Sequence, residues 1–250
     1  MGALWHEIRR NPLLWLLAFV PVVLVAEHVL HVQGVAMFVL AILAIVPLAA
    51  LLSHATEGVA SKTGDAVGGL LNATLGNLTE LVIALTALKA GEYTLVKASI
   101  AGAIVTNSLF MLGTSLLLGG LRHHTQEFNA SSARLQAGML FLATIALLVP
   151  SVVGAGIGEG EDADVLQQLS VMLAFVLIAT YALGLLFSLK THKEFFGAVS
   201  HGEGEEGEHW PLGLALGTLA GVTVLVALVS EIFVASVEDA ALALGMTDAF

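Results

Sequence analysis

The chain contains no cysteine. That absence excludes a disulfide framework and a thiolate metal site, and it leaves the redox compartment unread. Charge is also scarce: Asp, Glu, Lys and Arg make up 12% of the 250 residues, against about 25% in a soluble domain. So little polar surface cannot cover a water-soluble globule. Strand-like alternation over ten-residue stretches is missing, which argues against a membrane β-barrel. No His-x-x-x-His pair falls on an apolar segment, so no zinc site is expected. The glycine-rich stretches lack the Walker pattern, so an ATP-driven pump is not supported. A net charge of −11 points away from nucleic acid.

What the chain has in abundance is apolar length. Hydrophobic residues make up 57% of it, with a mean hydropathy of +0.92. Apolar stretches near or above the roughly 18 residues needed to cross a bilayer recur along it. They are 13–29, 35–61, 66–88, 95–121, 135–153, 165–189 and 212–244. The expected fold is therefore all-α, a multi-pass transmembrane helical protein. The second and last segments are long for one span and are expected to tilt or project. Arg9 and Arg10 before the first apolar run look at first like a signal peptide. No small-residue cleavage site with polar sequence follows, so a retained first helix is expected.

Lys and Arg set the orientation. With the N-terminus in the cytoplasm, Arg9, Arg10, Lys62, Arg122, Arg134, Lys190 and Lys193 fall on the cytoplasmic side, and only Lys89 and Lys97 fall opposite. Such a bias supports both the segment count and a cell-membrane topology.

A carboxylate at membrane depth costs at least about 2.5 kcal/mol and marks a pathway or a pair. Glu80 is the sharpest case, in the middle of 66–88. Asn72, Gly76 and Glu80 are four apart, a spacing that places them on one helix face, and Asn77 lies one turn before Glu80. Gly76 either lets another backbone approach or lets the helix open and present carbonyls. Ca²⁺ takes six to eight hard oxygens of this kind. Taken alone, the amides and glycines read rather as an interhelical clasp; it is the intramembrane Glu that points to function. Thr106, Asn107 and Ser108, with Gly102 one turn earlier, are the next polar group at depth; they read either as further oxygens or as a small-residue packing face.

Glu57 lies near the cytoplasmic end of the second segment in a polar stretch, and Glu231 and Glu238 lie in the last. Glu27 and His28 sit where snorkelling accounts for them. The cytoplasmic segment with Glu203, Glu205, Glu206 and Glu208 is either a solvated linker or a cation-attracting patch near a pore entrance. Aligning 55–64 with 236–245 places Glu57 on Glu238, Ala60 on Ala241 and Gly64 on Gly245. The two segments run in opposite directions through the membrane, as in inverted-repeat transporters, whose ion sites lie at the repeat interface. The counterpart of Glu80 would fall beyond Phe250, so the second set of ligands is expected to be missing.

Gly68-Gly-Leu-Leu-Asn-Ala-Thr-Leu-Gly-Asn-Leu-Thr-Glu-Leu81 resembles the first α-repeat of the Ca²⁺/H⁺ antiporter (CAX) family, within the calcium/cation antiporters. So do Pro47-Leu-Ala-Ala, Ala55-Thr-Glu57, Gly113-Thr-Ser-Leu-Leu-Leu-Gly-Gly-Leu-Arg122 and Gln126-Glu-Phe-Asn129. The resemblance is dense from Pro47 to Pro150 and looser elsewhere. Leu78 stands where that motif usually has a small residue. The resemblance implies an inverted-repeat cation exchanger fold, here with the second repeat truncated. The parts are then 1–30, an N-terminal tip and first transmembrane helix; 34–190, the first repeat; 191–210, an acidic cytoplasmic linker; and 211–250, the first helix of the second repeat. It implies that Glu80 is one of two central carboxylates that hold Ca²⁺ and protons in turn. Asn77 and Asn107 would coordinate or position the ion, with Gly76 and Asn72 beside them, and Glu57 and Glu238 would line the access route.

A transporter rather than an enzyme is thus expected, exchanging cytoplasmic Ca²⁺ for H⁺, with no cofactor beyond these transported ions. Its surroundings are the lipid bilayer and either a second copy or a missing C-terminal half. Two alternatives stay open: a Na⁺-coupled Ca²⁺ exchanger of the same fold, and a non-transporting membrane subunit or regulator. A channel has no pore-loop or filter-like segment to support it.

Overall fold

The computed structural model describes residues 2–63, 65–156, 163–191 and 210–246. Among them every regular element is helical. The chain opens with α1 (Gly2–Arg10), a 3₁₀ stretch (Pro12–Ala18) and α2 (Phe19–His28). Then come α3 (Val35–Ala60), α4 (Asp65–Leu75), α5 (Leu78–Ala90) and α6 (Tyr93–Val105). A π-helical turn (Thr106–Met111) joins α6 to α7 (Leu112–Arg122). After α8 (Ala130–Gly156) and α9 (Ala163–Leu186), a second π turn covers Phe187–Thr191, and α10 (Leu212–Ala243) completes the described elements.

Among the described residues, five helical stretches are long and apolar enough to cross a bilayer: Val35–Ala60, Tyr93–Arg122, Ala130–Gly154, Asp164–Thr191 and Leu212–Ala243. Two expected spans differ. Segment 13–29 starts as a 3₁₀ stretch and reaches membrane length only together with α1, from which it is bent by 109°. The bend has a local cause: Asn11 precedes Pro12, whose ring disfavours helical backbone at the residue before it. Asn11 is accordingly extended (φ −104°, ψ 106°), and its side-chain oxygen accepts a hydrogen bond from Leu13 N at 3.1 Å. Segment 66–88 is not one helix but two, interrupted at Gly76 and Asn77.

Packing divides the chain into two compact units, Met1–Ala98 with Gly204–Phe250, and Ser99–Glu203. The first has its core between α3 and α10. Along α3, Ala41, Ala44, Leu48, Leu52, Ala55 and Val59 are buried; along α10, Ala215, Val222, Val226 and Val229. On α3 these recur at three- and four-residue steps and on α10 at steps of seven, four and three, the period of one helix face. Lipid is as apolar as leucine, so close packing holds such helices together, and small residues permit it. Gly58 illustrates this: a Cβ there would lie 3.2 Å from the Ala215 Cβ. At the other end Phe38 stacks on Phe233 with ring centroids 5.5 Å apart. An early residue of α3 thus meets a late residue of α10 and the reverse, so the two helices run antiparallel.

In the second unit α8 and α9 also run antiparallel. Gly184 admits the Met139 sulfur, which would lie only 3.0 Å from a Cβ at that position, and Leu166 lies against Gly154. Asn129 caps α8 by accepting a hydrogen bond from Ser132 N at 3.0 Å. Gln126 Nε2 donates to the Leu116 carbonyl at 3.0 Å, tying the stretch after α7 back onto that helix. Leu109, Phe110, Leu117, Phe141 and Phe175 are exposed. So much exposed apolar surface suits lipid rather than water.

Candidate cation-binding site

The break at Gly76-Asn77 lies immediately before Glu80. Asn77 takes φ −110° and ψ 25° as the N-cap of α5, without a capping hydrogen bond from its side chain. Glu80 is in the first turn of α5 and is exposed. The Asn77-x-x-Glu80 spacing is that of a capping box. The expectation that Asn72, Gly76 and Glu80 share one helix face is corrected: Asn72 is on α4, Gly76 is in the turn and Glu80 is on α5. Spacing by four defines a face only where the helix is continuous. Of the two readings of Gly76, the opened helix is the one found. The last turn of α4 has carbonyls with no donor further along its own helix, and these flank the turn that leads to Glu80.

Leu71 of α4 and Leu78, Val82 and Ile83 of α5 pack on the core of the first unit. Gly68 on α4 packs so tightly on α3 that a Cβ would overlap the Ala60 carbonyl oxygen. At the far end of α5, Gly91 adopts the left-handed conformation (φ 86°), and Glu92 N donates to Ala87 O at 2.9 Å. This glycine-terminated cap stops the helix. Lys89, in its last turn, lies 3.7 Å from Glu231 of α10. Nine residues separate Lys89 from Glu80, so the carboxylate is about 13 Å further along the helix axis, near half the thickness of a bilayer core.

Asn107 belongs to the other unit and lies inside the π turn Thr106–Met111. Ser108 Oγ donates to the Ile104 carbonyl, and Asn107 is exposed. π turns are rare and concentrate at functional sites. Sequence periodicity carries no signal for one, because the inserted residue looks like any other in an apolar run.

Glu57 is exposed on α3, and Ser53 Oγ donates to its Oε1 at 3.5 Å. Its neighbours Ala55, Thr56 and Val59 are buried, so the polar stretch splits into a wet face and a packed face. Glu238 is exposed on α10. Because Gly58 meets Ala215 and Phe38 meets Phe233, these two acids stand at opposite ends of the α3–α10 pair. The rise per residue separates them by about 33 Å along it. A shallow depression of 390 Å³ brings Glu238 together with Thr86, Lys89, Glu92 and Glu231. Lys89 and Glu92 were not among the expected site residues; their meeting with α10 is a tertiary contact that local sequence does not encode. Glu203, Glu205, Glu206 and Glu208 lie outside the described residues. Among the described residues no three His, Asp or Glu side chains gather to hold a metal ion.

Apolar spans with helices interrupted at their polar residues define a multi-pass α-helical membrane protein built on discontinuous helices. Residues 33–190 match the sodium/calcium exchanger protein family. A Ca²⁺/H⁺ antiporter of Aphanothece halophytica is 45% identical over 251 residues, covering 94% of this chain and 66% of that protein. One from Synechocystis is 42% identical over 250 residues, covering 94% of this chain and 67% of that protein. Among solved structures, the selenium-substituted Ca²⁺/H⁺ antiporter protein YfkE superimposes with a TM-score of 0.73 at 28% identity, covering 96% of this chain and 66% of that one. The chain belongs to the sodium/calcium exchanger protein family, on its Ca²⁺/H⁺ antiporter (CAX) branch. It spans about two thirds of the length of both antiporters.

Proposed function

We propose that the chain carries a Ca²⁺ and proton site of a Ca²⁺/H⁺ antiporter, with Glu80 as the exchanging carboxylate. The observation that carries this reading is the helix break at Gly76-Asn77, one turn before the Glu80 carboxylate. Discontinuous helices are how transporters of inverted-repeat design present backbone carbonyls to an ion. With few acids gathered in one place, the remaining oxygens of a Ca²⁺ shell come from Asn77, the neighbourhood of Asn72 and Gly76, and backbone carbonyls; for Asn107, in the second unit, the family resemblance alone supplies the role. Protonation of Glu80 removes the charge that holds Ca²⁺, and Ca²⁺ displaces the proton. Two such carboxylates trade two protons for one divalent ion. Relatives named for Ca²⁺ and H⁺ favour protons over Na⁺ as the coupling ion.

In this reading 34–190 form one repeat and α10 opens the other, and the antiparallel course of α3 and α10 supports that relation. Glu57 and Glu238 are its two mouths, one near each membrane face. The bias of Lys and Arg supports a topology with the N-terminus and Glu57 on the cytoplasmic side of a cell membrane.

The test is pH-driven ⁴⁵Ca²⁺ uptake into proteoliposomes carrying the whole antiporter. Glu80→Gln is expected to abolish uptake while leaving membrane insertion intact. Uptake at the parent rate would overturn the assignment.

A further inference from the structure

The first helix has no part in the exchange just described, yet its geometry is specific. The 109° bend at Asn11-Pro12 sets α1 nearly perpendicular to the segment that follows it. A helix placed so at the foot of a span lies along the membrane surface. Leu4 and Ile8 turn inward and pack on the core of the first unit. Trp5, His6, Arg9 and Arg10 face outward. The Arg9 guanidinium sits 5.8 Å from the centroid of the Trp5 ring. Exposed Trp15 ties the bend together, its Nε1 donating to the Ile8 carbonyl at 2.9 Å. The only acid on α1, Glu7, lies 3.9 Å from His54 of α3, on the inner side of the helix. That contact also fixes the level of α1: it is at the end of α3 where Lys62 is exposed.

We infer that α1 is an interfacial docking surface for anionic phospholipid headgroups. Two tryptophans at one level are the mark of the membrane–water boundary, where an amphipathic ring sits best. The two arginines beside them present planar donor forks, which match phosphate oxygens. With Glu7 turned inward, no acidic side chain among the described residues pairs with Arg9 or Arg10. The partner is thus an anionic lipid of the leaflet on the Arg9–Arg10 side. Each arginine near a charged lipid surface raises local occupancy about fivefold.

Bromine-labelled lipids test this on the full chain carrying Trp210→Phe, so that fluorescence comes from Trp5 and Trp15. The protein is placed in equimolar vesicles of phosphatidylcholine and phosphatidylglycerol, with bromine on the chains of one lipid or the other. Brominated phosphatidylglycerol is expected to quench more strongly than brominated phosphatidylcholine. The excess should vanish in Arg9→Gln/Arg10→Gln and persist in Arg9→Lys/Arg10→Lys, which keeps the charge. Equal quenching by the two lipids in the parent would overturn the inference. So would absence of quenching by either, or an excess that survives the glutamine pair.

Discussion

Lys89 Nζ lies 3.7 Å from Glu231 Oε1, joining the end of α5 to α10 across a shallow depression. Both side chains are largely exposed, at 83% and 60%. Exposed pairs contribute roughly 0–1 kcal/mol and are screened by salt. Lys89→Gln is therefore expected to leave thermal stability in detergent nearly unchanged, with any small loss disappearing at high salt. A large loss that salt does not reduce would mean that the pair anchors α5.

Gly68 and Gly221 make a controlled comparison. A Cβ at Gly68 overlaps the Ala60 carbonyl oxygen, whereas Gly221 on α10 has open space around it. Overpacking typically costs about 1–3 kcal/mol. Gly68→Ala should lower the thermal midpoint by several degrees and displace the helix that leads to Glu80. Gly221→Ala should change it little. Equal midpoints for the two variants would contradict the close contact of α4 with α3.

Asn77 caps α5 without using its side chain for the cap. If its amide oxygen is a ligand, Asn77→Ala removes one neutral oxygen from the shell and keeps the charge of Glu80. The half-saturating Ca²⁺ concentration should rise about tenfold, equivalent to about 1.4 kcal/mol, while proton coupling persists. Flux titrations at fixed pH gradient measure this. An unchanged titration would remove Asn77 from the site.

The π turn offers a geometric test. Deleting one residue, Leu109, from Thr106–Met111 should restore regular α-helix from α6 into α7. Asn107 then keeps its chemistry but loses its register relative to α7. Transport should fall to background while the span still inserts. Retained transport would make the π turn incidental.

Much of this architecture is legible in the sequence because apolar length is a strong signal. The spans of α3, α6 to α7, α8, α9 and α10 fall where the hydrophobic runs are. The region around Glu80 is legible as a place but not as a shape. A run of Leu, Asn, Ala, Thr and Gly reads as one helix by hydropathy, and only the structure has the chain turn at Gly76. The Asn11 bend follows from the Asn-Pro pair, yet the apolar run begins at Leu13 and hides the short helix before it. The π turn and the Lys89–Glu231 contact leave no local trace. One depends on a single inserted residue, the other on helices more than a hundred residues apart in the chain.

The interruption between α4 and α5 also has a mechanical meaning. An unbroken helix can pivot at its centre only by rupturing backbone hydrogen bonds in a medium with no water to replace them. Here the ladder is already open at Gly76 and Asn77, so α5 can tilt on that joint at the cost of side-chain repacking alone. The hinge and the charge it carries are three residues apart. Under the proposed exchange, a change of charge at Glu80 would therefore act beside that joint.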